Sequence, residues 1–215
     1  AAPATVDFSE VVYESETFPN SFKSNANLAG IVFPQNVTKT ASAAFQKTGM
    51  TSVTLLKGIS YGSNAFDSCA SLVSVTVEEG VTEIGNYMFQ NTKLTDVTLP
   101  NSVTKIGASA FNGCSLTTIN FGQGVKTIEN SAFQNCGELT EIILPDATET
   151  LGQNAFGDCP KLAKISLGKN MKTLEAYCFV GYSKGCPLLG DIICRATTPP
   201  TLKDDYGTGP FGGGW

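Results

Sequence analysis

A phenylalanine recurs along this chain of 215 residues at intervals of 21 to 23 residues. A fixed period of this length indicates a solenoid, because a repeat of about 20 residues cannot bury its own apolar side chains and must stack on its neighbours. Each position of the repeat therefore becomes a column along the molecule. The recurring positions are Phe22, Phe45, Phe66, Phe89, Phe111, Phe133, Phe156 and Phe179.

Each repeat carries a short apolar pattern ahead of its phenylalanine. In the repeat from Leu94 to Phe111, Val97 and Leu99 stand two residues apart with Thr98 between them. This alternation predicts a short β-strand with one buried and one exposed face. One strand per repeat predicts a parallel sheet of eight strands, about 35 Å long at about 4.8 Å per strand.

The segment around each phenylalanine predicts a turn on the side opposite the sheet. A glycine four residues before the phenylalanine suits either a positive φ or a close backbone approach. An alanine usually precedes the phenylalanine directly, and we expect this pair to begin a short helical turn with the aromatic ring inward. The glycines are Gly62, Gly85, Gly107 and Gly152, and the alanines are Ala44, Ala65, Ala110, Ala132 and Ala155.

The period predicts one repeat domain with an atypical piece at each end, because terminal repeats must shield the core. We expect an N-terminal cap over residues 1–21, an array of about eight coils over residues 22–196, and a C-terminal tail or cap over residues 197–215. The chain starts without a methionine or a basic-then-apolar signal. We therefore expect a mature chain whose targeting segment has been removed.

The segment from Leu94 to Cys114 follows Leu-x-x-Val-x-Leu-Pro-x-x-Val-x-x-Ile-Gly-x-x-Ala-Phe-x-x-Cys. This repeat resembles the BspA-like class of bacterial leucine-rich repeats, and residues 194–202 resemble the end of such an array. The resemblance implies a leucine-rich-repeat solenoid of the α/β class, rich in β-structure. It also implies a secreted or surface-attached protein, in a family where some relatives are adhesins for host matrix proteins or other cells.

The charge balance argues against two classes of partner. The formal net charge is −5, Arg195 is the single arginine, and no basic run occurs. A protein that neutralises phosphates needs the opposite balance, so we expect neither nucleic acid nor an anionic membrane surface as a partner. Apolar residues are spread along the chain without a run of about 18, so we expect no membrane insertion of this chain. The resemblance implies an extracellular or cell-surface location.

The residue types also argue against catalysis. The chain has no histidine, which excludes Ser-His-Asp and Cys-His nucleophile systems and histidine metal sites. Asp96 and Glu141 occupy equivalent strand positions two coils apart, about 10 Å by strand spacing, which overlaps the separation of carboxylates in inverting glycosidases. An open sheet face would leave both acids solvated, so we predict a protein that is not an enzyme and has no cofactor or metal.

Four cysteines form a column three residues after the phenylalanines, and Thr48 and Thr92 occupy the same position. We interpret them as small buried thiols, although adjacent coils could bring Cys114 and Cys136 within disulfide range. The last coil differs because residues 182–187 break the period, and a local bridge there stays open. The column is Cys69, Cys114, Cys136 and Cys159, and the cysteines of the last coil are Cys178, Cys186 and Cys194.

The exposed strand positions are the candidate binding residues. Threonine is also a good exposed strand residue without any ligand, whereas Ile143 and Ile193 are exposed aliphatic side chains that favour a contact. Tyr182, Tyr206, Phe211 and Trp215 could gather near the same C-terminal end. The candidates are Thr54, Thr76, Asp96, Thr98, Asn120, Glu141, Ile143, Lys164, Ser166 and Ile193.

Three functional hypotheses follow. The first is a non-enzymatic surface or secreted interaction module, an adhesin that binds a host or neighbouring-cell protein on its parallel-sheet face. The second is a carbohydrate-binding module, which a groove with stacked aromatic and polar side chains would favour. The third is a structural spacer that presents another domain, which a featureless sheet face would favour.

Overall fold

The computed structural model describes residues 4–180, 183 and 185–203, and it confirms the predicted leucine-rich-repeat solenoid. The first column of parallel strands holds the eight predicted strands and one more from the N-terminal segment. Its members are β1 (Ala4–Asp7), β3 (Leu28–Val32), β5 (Ser52–Leu55), β6 (Ser74–Val77), β8 (Asp96–Thr98), β10 (Thr118–Asn120), β12 (Glu141–Ile143), β14 (Lys164–Leu167) and β16 (Asp191–Cys194).

The first column is not one continuous sheet. Its strands pair in parallel as four separate ladders: β1 with β3, β5 with β6, β8 with β10, and β12 with β14 and β16. The strands on either side of each break remain neighbours in the stack. The predicted single eight-stranded sheet is therefore replaced by four stacked pieces, and the outward side chains still form one row.

A second column of two-residue strands runs beside the first, and the sequence had not indicated it. Six of these strands form one parallel sheet in the order β17, β15, β13, β11, β9 and β7, while β2 pairs with β4. The second residue of most of these strands points into the core. The members are β2 (Thr17–Phe18), β4 (Lys39–Thr40), β7 (Glu83–Ile84), β9 (Lys105–Ile106), β11 (Thr127–Ile128), β13 (Thr150–Leu151), β15 (Thr173–Leu174) and β17 (Thr201–Leu202).

The predicted helical turns are wrong: the part of the chain that the structure describes contains no helix. Around each phenylalanine the backbone instead forms two tight turns. Around Phe111, the N–H groups of Ala110 and Cys114 bond within the coil, whereas those of Ser109 and Phe111 itself bond to carbonyl oxygens of the next coil at 2.9 and 2.8 Å. A helix would direct all of these N–H groups along its own axis, so intercoil bonding excludes it.

Residues in the left-handed backbone conformation allow N–H groups to alternate between bonds within the coil and bonds to the next coil. Positive φ angles recur two residues before and two residues after the phenylalanine, as at Ser109 (54°) and Gly113 (72°) in one coil. The glycines four residues before the phenylalanine do not have positive φ. Close backbone approach explains Gly62, Gly107 and Gly152, but not Gly85, where a Cβ would meet the end of the Met88 side chain at 3.3 Å. A Cβ on Gly107 would lie 2.8 Å from the Asn86 backbone nitrogen, and one on Gly152 would lie 2.5 Å from the Asn130 nitrogen.

The phenylalanine column forms the axis of the core. Ring centroids of Phe111, Phe133 and Phe156 are 5.2 Å apart with interplanar angles of 9° and 5°. Every ring from Phe45 to Phe179 is buried, whereas Phe22 is half-buried because Phe18 takes the inner place beside it. The apolar positions of both strand columns pack around this stack, which leaves the outward strand side chains free.

Candidate interaction surface

We define the outward strand face as the exposed side chains of the first strand column. The structure brings the candidate residues into register on this face: Thr54 lies opposite Thr76, and Thr98 lies opposite Asn120. These four side chains are neutral, whereas Asp96 in β8 is an exposed charged member of the same face. The Asn120 side chain also has a local role, because its Oδ1 accepts a hydrogen bond from the Gly122 N–H at 3.1 Å.

One candidate, Ser166, lies below the surface. It is only 8% exposed, and it stands in register between Ile143 and Ile193. Side chains directly opposite on one sheet face lie within contact distance, so two branched neighbours flank the small hydroxyl. Ser166 is therefore not available as a contact residue in the way that the sequence suggested.

The C-terminal half of the outward strand face carries charges in register. Lys164 Nζ lies 2.8 Å from Glu141 Oε1, and Asp191 is opposite Lys164 on the other side. The hydrogen bond that Lys164 donates to Glu141 raises the pKa of Lys164, and the negative charge of Asp191 raises it further. Asp96 accepts a hydrogen bond from the Thr95 hydroxyl at 3.0 Å. Glu141 is therefore engaged by a lysine, and Asp96 by a neighbouring hydroxyl.

Exposed aliphatic side chains stand beside these charges. Ile143 is 60% exposed and Ile193 is 46% exposed. A cleft of about 380 Å³ opens next to Ile143, at the break between the ladders that contain β10 and β12. Its walls are Ile119, Asn120, Phe121, Gly122, Gln123, Ile143, Pro145, Asp146 and Arg195.

Arg195, the single arginine of the chain, lines this cleft, a role that its sequence position did not indicate. Its Nε donates to the Leu167 carbonyl at 3.2 Å, and its Nη2 donates to the Leu144 carbonyl at 2.9 Å. Nη2 also lies 3.3 Å from Asp146 Oδ1. One side chain thus joins three successive coils at the ends of their strands and leaves a partly exposed cation beside Ile143.

A second cleft of about 350 Å³ lies at the opposite end of the same face, at the break between β3 and β5. Gly30, Ile31 and Thr54 contribute to its walls. This cleft is lined by neutral and apolar groups. The two clefts show that breaks between ladders provide concave places on an otherwise exposed row of side chains.

Four ion pairs join the two coils that end at Phe156 and Phe179. In each pair an acidic residue of the first coil contacts a lysine one coil later, and this 23-residue offset is visible in the sequence. All the side chains involved are at least one-third exposed, so each pair contributes modestly. The pairs are Glu138–Lys161, Glu141–Lys164, Asp146–Lys169 and Glu149–Lys172, with N–O distances of 2.6 to 2.9 Å.

The cysteine column is buried as predicted, and its thiols also form hydrogen bonds. Cys114 Sγ donates to the Phe89 carbonyl oxygen at 3.1 Å, and Cys136 Sγ donates to the Phe111 carbonyl oxygen at 3.3 Å. Burial raises the pKa of Cys114 to about 11. All seven thiols are free, so neither Cys114 with Cys136 nor the last coil forms a bridge; Cys194 lies exposed in β16.

Three of the expectations from the sequence concern metal binding, membrane insertion and an aromatic cluster near the C-terminal end. Across residues 4–180, 183 and 185–203, no three His, Cys, Asp or Glu side chains come together as a metal site could require. Within the same ranges, no helix is long and apolar enough to cross a membrane. Tyr182, Tyr206, Phe211 and Trp215, which were expected to gather near one end of the face, lie outside the described residues.

Comparisons with known proteins place the chain in a family. The model of the BspA type leucine rich repeat region matches residues 7–61 and 59–185 in six copies. A leucine rich cell surface protein from Faecalibacterium prausnitzii is 22% identical, with a TM-score of 0.60 over 90% of this chain and 60% of that one. A leucine-rich repeat protein from Eubacterium ventriosum is 21% identical, with a TM-score of 0.55 over 90% and 62%.

These two solved structures share the fold with this chain, which spans about three fifths of their length. No curated protein matches the sequence. The family model covers most of the chain, and its repeat corresponds to the coils seen in the structure. The chain therefore belongs to the family of BspA-type leucine-rich repeat proteins of bacteria.

Proposed function

We propose that this protein is a non-enzymatic, cell-surface or secreted interaction module that binds a host or neighbouring-cell protein on its outward strand face. The observation that carries the proposal is the C-terminal half of that face. There Ile143 and Ile193 are exposed beside a cleft that ends in the Arg195 guanidinium. Exposed aliphatic groups next to a cation are typical of protein recognition, in which apolar centres are surrounded by polar rims.

A protein partner fits this face better than a glycan. Sugar recognition relies on aromatic rings stacked over polar groups, and the outward strand positions from β1 to β16 have no exposed aromatic side chain in the described residues. The aliphatic side chains and the ion-paired Glu141 and Lys164 provide instead a mixed apolar and charged surface. The spacer hypothesis requires a featureless face, which the two clefts argue against.

The family supports the extracellular part of the proposal. One solved relative by fold is named as a cell surface protein, and the repeat family forms scaffolds on which side chains of one face can vary without changing the fold. The carboxylates of this face are solvated or paired with lysine, an arrangement that favours recognition over acid–base chemistry.

The test is binding of the purified chain to an array that holds matrix proteins, plasma proteins and glycans. The proposal predicts a protein signal that Ile143→Glu lowers at least about tenfold, since loss of a central apolar contact costs more than about 1.4 kcal/mol. Thr54→Glu is the matched control, because it adds the same charge to an exposed strand centre at the other end of the face.

The outcomes separate the hypotheses. A protein signal that Thr54→Glu lowers and Ile143→Glu spares would move the site to the N-terminal cleft. A glycan signal that depends on Ile143 would replace the protein proposal with the carbohydrate-binding one. Absence of binding to every protein and glycan on the array would favour the spacer hypothesis.

A further inference from the structure

Cys186 belongs to the cysteine column, although the spacing of the sequence hides this. The tripeptide at residues 158–160, Asp-Cys-Pro, recurs as Gly-Cys-Pro at residues 185–187. Gly185 has a φ of 59°, as Asp158 has a φ of 56°, so both precede their cysteines in the left-handed conformation. The repeat frame therefore resumes at Gly185 after four inserted residues, and Cys186 occupies the position directly after Cys159 in the stack.

The hydrogen bonds confirm this placement. Cys159 Sγ donates to the Phe133 carbonyl oxygen at 3.3 Å, and Cys186 Sγ makes the equivalent bond to the Phe156 carbonyl oxygen at 3.2 Å. The two thiols also share a hydrogen bond with each other. Among the described residues, the other neighbouring cysteines of the column share no such bond.

Cys159 and Cys186 differ in access to solvent. Cys159 is fully buried, whereas Cys186 is half-buried at the end of the column. The shared hydrogen bond lowers the pKa of Cys186 and raises that of Cys159. The thiolate is the reactive form of cysteine, so the reachable member of the pair is also the more easily ionised one.

We propose that Cys159 and Cys186 form an oxidation-sensitive pair, in which a peroxide oxidises Cys186 and Cys159 converts the product into a disulfide. The Cys186 thiolate attacks one peroxide oxygen, the O–O bond breaks, and water leaves after proton uptake. The resulting sulfenic acid is attacked by Cys159 sulfur: the S–S bond forms, the S–O bond breaks, and a second water carries away the thiol proton. Two thiols and one peroxide thus give one disulfide and two waters.

The geometry of the solenoid suits this bond. Equivalent positions of stacked coils are about 4.8 Å apart, within the range of about 4.4 to 6.8 Å that Cα atoms of a disulfide span. The bond would join the coil that carries the insertion to the coil before it. It would replace the two thiol hydrogen bonds to the Phe133 and Phe156 carbonyl oxygens.

The test is peptide mapping of the full chain after treatment with hydrogen peroxide, followed by blocking of the remaining thiols. In a Cys194→Ser protein, trypsin releases Cys186 as the single cysteine of residues 185–195, and Cys159 with Cys136 in residues 127–161. We expect these two peptides to be linked with the loss of two hydrogens, and fragmentation to place the bond at Cys159. Cys159→Ser should abolish the link and leave Cys186 as a sulfenic acid that dimedone traps.

The measurement needs no variant for its main result, because fragmentation of linked peptides from the unsubstituted chain also locates the bond. Recovery of Cys159 as a free thiol while Cys186 is oxidised would overturn the proposal. So would a link from Cys186 to Cys178, or complete resistance of Cys186 to peroxide. Cys136→Ser serves as the matched control, and it should leave the link unchanged.

Discussion

At the scale of single residues, the stacked phenylalanines fill and stabilise the core of the solenoid. Phe133 is fully buried and stacks at 5.2 Å on a ring from the coil at each side. Because each ring fills the space between two others, no neighbouring side chain can collapse into the volume that a smaller residue would leave. Thr98, in contrast, is exposed at the centre of β8.

We predict that Phe133→Ala lowers the free energy of unfolding by about 3 to 5 kcal/mol, the cost of an emptied aromatic core site. Thr98→Ala should change it by no more than about 0.5 kcal/mol, as at other surface positions. Urea denaturation followed by circular dichroism measures both. Equal midpoints for the two variants would contradict the assignment of inward and outward columns.

Glycines test the close contact between coils. A Cβ on Gly124 would overlap the Asn101 carbonyl oxygen and lie 2.9 Å from the Val103 carbonyl oxygen, whereas a Cβ on Gly137 would meet nothing within 4 Å. We therefore predict that Gly124→Ala costs about 1 to 3 kcal/mol through backbone displacement. Gly137→Ala, the control, should have the smaller effect in thermal unfolding, and the reverse order would refute the intercoil contact.

The sequence predicted these inward residues because the same residue types return in each coil. It could not predict the left-handed position two residues before the phenylalanine in the same way. Ala43, Tyr87 and Ser109 all adopt positive φ at the equivalent place, yet they share no side-chain chemistry that favours it. Intercoil hydrogen bonds impose this conformation, and such bonds leave no composition signal.

At the scale of elements, alternation of apolar and polar residues was sufficient to predict the first strand column. The second column escaped prediction because a two-residue strand is too short for any alternation to be seen. The breaks between ladders could not be predicted from the sequence either, because they depend on the backbone spacing between coils. The ion pairs between the coils ending at Phe156 and Phe179 did have a signal, the 23-residue offset between acids and lysines.

These pairs predict a specific pH dependence. A hydrogen bond from Lys169 lowers the pKa of Asp146, and one from Lys172 lowers that of Glu149. A carboxylate with a lowered pKa stabilises the folded state above its ordinary value, here 3.8 for Asp146 and 4.5 for Glu149, and this contribution disappears as the pH falls through the folded value. The melting temperature should therefore decrease on acidification below these values.

The double variant Asp146→Asn with Glu149→Gln should show a shallower decrease of melting temperature between about pH 6 and pH 3 than the unsubstituted chain. Asp96→Asn is the control, since it removes a carboxylate that lies opposite Thr118 and not opposite a lysine. Differential scanning calorimetry in low salt measures the slopes. Parallel slopes for the double variant and the unsubstituted chain would contradict the contribution of these pairs.

At the scale of the whole molecule, each coil contacts mainly the coils before and after it. This nearest-neighbour organisation is typical of solenoids, whose stability is a sum of repeat and interface contributions. For the binding surface, the sequence predicted the row of outward residues because the row follows from the strand period. Arg195 could not be assigned, because its contacts join coils that are 28 and 51 residues away in sequence.

The nearest-neighbour organisation predicts that one complete coil can be removed. Deletion of residues 95–116 joins Leu94 to Thr117 in the same frame as the natural Leu116–Thr117 sequence. We expect this variant to fold cooperatively, with a β-rich circular dichroism spectrum and a lower melting temperature. Deletion of residues 95–105 is the control, since it leaves half a coil. Cooperative folding of the control would show that register between coils is not required.

The contacts of Arg195 have a mechanical consequence. A protein held at one end and loaded by a partner on its face experiences tension, and a stack of coils under tension peels from its end. Once the two-residue β17 has detached, β16 is held by its ladder with β14 and by the guanidinium bonds to the carbonyl oxygens of Leu167 and Leu144. These two bonds reach different coils, so detachment of β16 requires that both break or that the force passes to the preceding coils. Arg195 therefore resists stepwise detachment of coils from this end.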